Sequence, residues 1–273
     1  GVMTLLHGVY MTAEMAALPN IVAENELVTA NTLGSASWST SLALGSALGG
    51  FVVSIAGTDA AFIIDAATFA VGMVILFFID MPQKVSADMQ GSLLRTGFSN
   101  IVSGWKRIYG EKRLLRILFA KAAWNIAGGG LAGVFLVLAA AQYSVNDFAM
   151  GIGLFYLARG VGTGIGPILA RMIFRDRTRW PQLLGHFVTV SGLVYLTISL
   201  TIHISMWLTF FLIIVAHSGS AASWVFSTIL EQEWVEDEMR GRVFSADMLL
   251  LSAALAISTS LAGWLVEYRE VGL

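Results

Sequence analysis

Ionisable side chains within long apolar segments are the residues of this sequence best suited to chemistry. Arg159 lies near the middle of the apolar segment 148–174, where its guanidinium cannot easily reach lipid headgroups. Since a charge at membrane depth is costly, we expect Arg159 to face the interior of a helix bundle. Two interpretations stay open: the side chain pairs with a carboxylate or an anionic substrate group, or it forms a structural hydrogen bond with the carbonyls of a neighbouring helix.

Asp65 is the second candidate and lies in the second helical turn of another apolar segment, after a short turn at 57–59. In a partly dry cavity its carboxylate could take up and release a proton, and so couple proton entry to substrate exit. The alternative, which we favour, is an acid near a helix N-terminus that the helix dipole or a neighbouring helix stabilises.

Five further polar residues lie within apolar segments. Glu14, Lys121 and Asp247 are predicted one to two turns from cytoplasmic ends, where snorkelling or solvation at the interface accommodates them; lining a transport pathway is the alternative. Asn125 and His217 lie deeper and could contact a substrate, although hydrogen bonding between helices is the commoner use of such residues.

Seven long apolar segments must position these side chains. Only 12% of the 273 residues are charged and 56% are hydrophobic, which is too apolar for one soluble core. Residues 1–18 resemble the end of a further segment, so we expect the chain to be a fragment. The predicted spans, each long enough to cross a bilayer, are 31–56, 60–80, 114–142, 148–174, 182–203, 206–229 and 243–266.

Basic residues lie in alternate connections, which orients the chain. The loops near 84–116, 171–179 and 240–242 are rich in Lys and Arg, whereas those at 57–59, 145–147 and 203–205 have none. The first group therefore faces the cytoplasm.

No feature suggests nucleic acid as a partner, and the absence of cysteine excludes disulfides and thiolate metal sites. We predict no metal, no cofactor and no enzymatic activity, since no cluster has catalytic or metal-ligand spacing.

The longest polar connection, 81–113, divides the chain into two membrane units, 1–80 and 114–273. Its second half is predicted to form an amphipathic helix at the cytoplasmic surface, because apolar residues recur there at helical spacing among basic ones. The acidic turn at 21–31 recurs at 234–243, an offset of about 212 residues, and each precedes a long apolar helix. The two units are therefore interpreted as parallel repeats in the same orientation.

Several segments carry a resemblance to a known family. ALPNIVAENELVTANTL (17–33), ALGSALGGFVV (43–53), AAFIIDAATFAVGMVIL (60–76), ARGVGTGIGPILAR (158–171) and EMRGRVFSAD (238–247) resemble the major facilitator superfamily, and most closely its exporters of siderophores, macrolides and other drugs. The resemblance implies an all-α, polytopic membrane helix bundle with two pseudo-symmetric halves. It also implies a twelve-helix transporter, of which this chain holds helices four to eleven. The fragment is then not expected to transport alone.

The resemblance assigns roles to two sets of residues near the cytoplasmic side. Gly166, Arg171 and Arg175 match a weakened second-half copy of the family's gating loop, with Ala170 where an acidic residue would stand. The resemblance also covers an acidic run beside Arg240 and Arg242, formed by Glu231, Glu233, Glu236, Asp237 and Glu238. It resembles loops whose ion pairs lock the cytoplasmic gate, although a solvated loop is the simpler interpretation.

A third set of matching residues lies in the fifth helix of the family. Gly45, Gly49 and Gly50 fit the glycine spacing of the antiporter motif, with Ser46 in place of its proline. Small residues at such spacing let membrane helices pack closely, so packing alone would also explain them.

Together these features predict a secondary transporter in the cell (inner or plasma) membrane. The predicted activity is proton-coupled efflux of a small amphipathic molecule by alternating access, with the bilayer and protons as further partners. The alternative is a lipid-handling or non-transporting membrane protein of the same fold.

Overall fold

The computed structural model describes residues 2–78, 93–143 and 148–268, and within these ranges every regular element is helical. Short 3₁₀ turns lie at Glu24–Glu26 and Arg177–Arg179. The nine α-helices of the described ranges are α1 (Val2–Ile21), α2 (Leu27–Leu76), α3 (Leu93–Tyr109), α4 (Lys112–Trp124), α5 (Gly130–Tyr143), α6 (Phe148–Ile173), α7 (Trp180–Thr201), α8 (Met206–Trp234) and α9 (Asp237–Tyr268).

Six helical stretches of the described residues are long and apolar enough to cross a membrane. They are Glu24–Ile75, Lys112–Tyr143, Phe148–Ile173, Arg177–Thr201, Met206–Trp234 and Asp237–Tyr268. The last five contain the last five predicted spans almost unchanged, so this part of the prediction is confirmed. The protein is a multi-pass membrane helix bundle.

The first of these stretches differs from the prediction of two separate spans, 31–56 and 60–80. Residues 27–76 form one 50-residue helix, and Gly57 interrupts it with φ +81°. A straight helix of this length would measure about 75 Å, more than twice the thickness of a bilayer core. The predicted outer turn is thus reduced to one glycine, which adopts a backbone conformation that other residues rarely tolerate.

The part of α2 beyond Gly57, together with Phe77 after it, packs little against the other described residues. Phe62, Ile63 and Phe77 are 69%, 71% and 81% exposed. The end of the predicted span, at 79–80, lies outside the described residues, as does the segment 81–92 of the predicted central loop.

Glycines on α6 bring the helices of the core together. A Cβ at Gly160 would lie 2.5 Å from Ala43 of α2, and one at Gly166 would overlap the backbone of Ser218 in α8. Helices in lipid associate through such close backbone contacts. Trp180, the first residue of α7, stacks on Phe226 of α8, with ring centroids 3.9 Å apart.

The predicted amphipathic segment forms α3, whose buried side faces protein. Ile108 is fully buried, and Gly104 lies so close to Arg242 of α9 that a Cβ would overlap its backbone. Phe98 and Tyr109 remain exposed, at 71% and 65%. Both predicted acidic turns connect consecutive long helices, α1 to α2 and α8 to α9, as the repeat predicts.

The span formed by α4 and α5 contains a break. Residues Asn125–Gly129 form a π-helical turn between the two helices. The amide of Leu131 donates to the hydroxyl of Ser258 in α9 at 3.1 Å, so a side chain of another helix satisfies a backbone donor beside the break. A Cβ at Gly130 would overlap Thr259, which places α5 directly against α9.

Candidate functional site

Three charged side chains from three helices meet in the interior of the bundle and form what we call the buried triad. Lys121 of α4 lies between Glu231 of α8 and Asp247 of α9, with side chains that are 2%, 0% and 0% exposed. The Nζ atom of Lys121 donates to Glu231 Oε1 and Oε2 at 3.1 and 3.0 Å, and to Asp247 Oδ2 at 2.5 Å. The ring centroid of Trp224 lies 5.1 Å from the same nitrogen.

The helix periodicity explains why these residues point inward. Ile117 and Leu118, one turn before Lys121 on α4, are 2% and 1% exposed, so Lys121 lies on the buried face of that helix. Asp247 follows the fully buried Val243 by one turn of α9 and shares its face. The charged residues therefore share helix faces with the apolar residues that drive packing, and they are buried together with them.

The triad is not electrically balanced. It contains two carboxylates and one ammonium, so its net charge is −1 when all three groups are ionised. Asp247 Oδ1 is buried and has no hydrogen-bond partner among the described residues, whereas both oxygens of Glu231 accept from Lys121. A buried excess charge with an unsatisfied oxygen is costly, and binding of one proton would remove the excess.

The structure corrects three sequence-based expectations here. Solvation at the interface was expected to accommodate Lys121 and Asp247, but both are buried and paired with each other. Glu231 was grouped with an acidic run in a loop, yet it lies inside α8 with no exposed surface. Glu231 and Asp247 stabilise the Lys121 ammonium at this depth, which makes snorkelling unnecessary.

A second polar cluster lies near the middle of the membrane-spanning helices. The Tyr195 hydroxyl and His217 Nε2 are 2.7 Å apart, and Trp124 contacts the His217 ring edge-on. The guanidinium carbon of Arg159 lies 5.7 Å from the centroid of the Tyr156 ring, and Arg159 is close enough to His217 to interact with it electrostatically. The structure thus brings two candidates, Arg159 and His217, together.

Arg159 has no counter-ion among the described residues. No carboxylate of this part of the chain lies within ion-pair distance, and its buried Nε has no hydrogen-bond partner. Neither a paired carboxylate nor a Nε bond to a helix carbonyl is therefore seen, although both were considered from the sequence. A cation that no described protein group neutralises at this depth is suited to an anionic ligand group.

Among the described residues, no hydrogen bond or ion pair joins the remaining pathway candidates to Arg159 or His217. Asn125 donates to the carbonyl of Lys121 at 3.2 Å, which caps the end of α4. Glu14 and Asp65 are exposed and form no ion pair in the described part of the chain.

The acidic run before α9 forms ion pairs with α3 and with the Arg177–Arg179 turn. Glu236 pairs with Arg107 of α3 at 3.0 Å, and Glu233 pairs with Arg177 at 2.6 Å. The hydrogen bond from Arg107 is the main reason that the pKa of Glu236 lies below its usual value. Sequence reasoning missed Arg107 and Arg177 as partners, because they lie far from the run along the chain.

The predicted gating residues of this region have mixed environments. Arg240 donates to Asp237 at 2.8 Å and to the carbonyl of Gln232 at 3.1 Å. Glu238 and Arg242 line a cavity of about 750 Å³ between α1, α3 and α9.

The other predicted gating and packing residues also differ among themselves. Arg171 donates to the Thr29 hydroxyl at 3.4 Å, and Arg175 donates to the carbonyl of Met172 at 3.3 Å. Within the described residues, a Cβ at Gly50 would lie 2.8 Å from the Ala149 carbonyl, whereas Gly45 and Gly49 face open space. Close helix packing therefore accounts for Gly50 and Gly166 but not for the other two glycines.

Long apolar helices around buried charges define a multi-pass membrane protein. The family model of the Major Facilitator Superfamily matches residues 1–230, so the chain belongs to that superfamily of membrane transporters. Comparison with curated proteins and with solved structures gave no significant match.

Proposed function

We propose that the protein is a proton-coupled secondary exporter of small amphipathic molecules in the cell (inner or plasma) membrane, and that the buried triad is its coupling site. The observation that carries the proposal is the uncompensated carboxylate of the triad, at full burial inside a transporter. Siderophores, macrolides and other drugs are the substrate classes that the sequence resemblance favours.

The coupling step requires only a proton and the triad. A proton that binds to one of the two carboxylates changes the net charge of the triad from −1 to 0. Loss of the proton to the opposite side restores the excess charge. Because α4, α8 and α9 each supply one member, the strength of the contacts among these helices depends on the protonation state.

Replacement of Asp247 by asparagine tests the coupling, because the amide resembles the protonated carboxyl. In liposomes containing the complete protein, D247N is expected to lose about 90% or more of the substrate accumulation that a proton gradient drives. Exchange of labelled substrate without a gradient should continue, since that process needs no net proton movement. The matched control is Glu267→Gln, an exposed acid on the same helix.

The outcomes separate the proposal from its alternative. If D247N accumulates substrate like the wild type, the triad is not the coupling site. If efflux of all tested dyes and drugs is absent while lipid movement persists in the presence of a protonophore, the lipid-handling alternative replaces the exporter.

Arg159 is proposed to bind an anionic group of the substrate. Replacement of Arg159 by glutamine should lower the transport of anionic amphiphiles at least tenfold, because a loss of about 1.4 kcal/mol or more of binding energy corresponds to that factor. Arg159→Lys should retain part of the activity, since it keeps the charge but not the planar fork. Initial rates with an anionic dye and a neutral dye measure the effect. A correctly folded R159Q variant that transports both dyes normally would leave Arg159 with a structural role only.

A further inference from the structure

The cavity between α2, α6 and the start of α7 differs in charge from the other sites. It has a volume of about 500 Å³, and its lining by described residues includes Arg171, Arg175 and Arg177 but no acidic residue. Its remaining walls are formed by Thr32 and by apolar side chains, among them Ile168, Met172 and Trp180. We call it the arginine cavity.

Two of the three arginines have unused binding capacity. Arg171 donates only to the hydroxyl of Thr29, and Arg175 only to a backbone carbonyl; neither has a carboxylate partner in the described ranges. Arg177 pairs with Glu233, but 46% of its side chain remains exposed. An arginine guanidinium binds phosphate oxygens in a planar, two-pronged geometry, so the lining is suited to a phosphate group.

The surroundings of the arginine cavity favour a lipid as the source of that phosphate. The cavity lies at the end of the span Phe148–Ile173, which the positive-inside rule places at the level of cytoplasmic headgroups. Met172 and Ile173 beside it are 62% and 68% exposed, so hydrocarbon chains could lie along the same helix. A basic pocket between membrane helices on this side is suited to an anionic headgroup.

We propose that the arginine cavity binds the headgroup of an anionic phospholipid, and that Arg171 and Arg175 hold its phosphate. Since α2 and α6 both line the cavity, the bound headgroup contacts two helices that the sequence assigns to different halves of the protein. The proposal needs neither proton coupling nor any particular substrate, so it can fail or succeed independently of the proposed export function.

Native mass spectrometry of the full chain in detergent, titrated with phosphatidylglycerol or with phosphatidylcholine of the same acyl chains, tests the proposal. The wild type should bind phosphatidylglycerol at least about tenfold more tightly. Combined Arg171→Gln and Arg175→Gln should weaken phosphatidylglycerol binding about 10- to 30-fold, because each basic residue near a membrane surface contributes about a factor of five. The matched control, Arg116→Gln with Arg179→Gln, removes two exposed charges outside the cavity lining and should change binding less than twofold.

Three results would overturn the proposal. Equal binding of the two lipids by the wild type would exclude selection for an anionic headgroup. Equal losses in the cavity variant and in the control would indicate only general surface charge. Displacement of phosphatidylglycerol by millimolar inorganic phosphate would assign the cavity to a soluble phosphate compound. If the double variant does not fold, Arg175→Gln alone provides the test, because Arg175 makes only one bond to a carbonyl of its own helix.

Discussion

Replacement of Lys121 by methionine is expected to destabilise the protein by about 3–5 kcal/mol, since it leaves two buried carboxylates with no counter-ion. Both acids accept hydrogen bonds from Lys121 at full burial, and no other Lys or Arg of the described residues forms an ion pair with either one. The midpoint of thermal unfolding of the purified full chain in detergent measures the loss.

The companion variant removes the charges as well as the lysine. Lys121→Met combined with Glu231→Gln and Asp247→Asn should recover at least half of the lost stability, because a neutral cluster has no uncompensated charge. If Lys121→Met alone melts within 1 °C of the wild type, the three side chains do not form a buried ionic cluster.

The second large effect is expected at Gly166. A Cβ at this position overlaps the backbone of Ser218, so Gly166→Ala must separate α6 from α8 and should cost about 3 kcal/mol. The separation also lengthens the bond from the Ser218 hydroxyl to the carbonyl of Gly162, now 3.2 Å.

Gly192 of α7 supplies the matched control for this substitution. Nothing lies within 4 Å of a Cβ at Gly192, and alanine is the better helix former, so Gly192→Ala should be neutral or slightly stabilising. Unfolding midpoints in detergent distinguish the two variants. A Gly166→Ala protein as stable as Gly192→Ala would contradict the tight contact between α6 and α8.

Most of the fold could be predicted because hydropathy and basic-residue placement are local signals. The five spans after residue 112 are encoded by runs of apolar residues that need no knowledge of tertiary contacts. The break at Gly57 shows where this reasoning stops. Hydropathy identified a short polar turn there, but it could not indicate that helical hydrogen bonding continues on both sides of a single glycine.

The buried triad was harder to predict from the sequence than the membrane spans. Lys121 is separated from Glu231 by 110 residues and from Asp247 by 126, and no local pattern pairs residues across three helices. Glu231 also precedes a run of acids, which suggested a loop. One local signal was available: Glu231 follows Ile229 and Leu230, both almost fully buried, without any intervening polar residue.

The broken span α4–α5 is held to α9 on both sides of its π-helical turn. Lys121, before the turn, contacts Asp247, and Leu131, after it, bonds to Ser258. The contacts on α9 are separated by 11 residues, about three helical turns, and therefore lie on one face. The angle between α4 and α5 can change only if α9 bends with them or if one of these two contacts breaks. Helix α9, which does not adjoin this span in sequence, therefore limits how far the span can tilt.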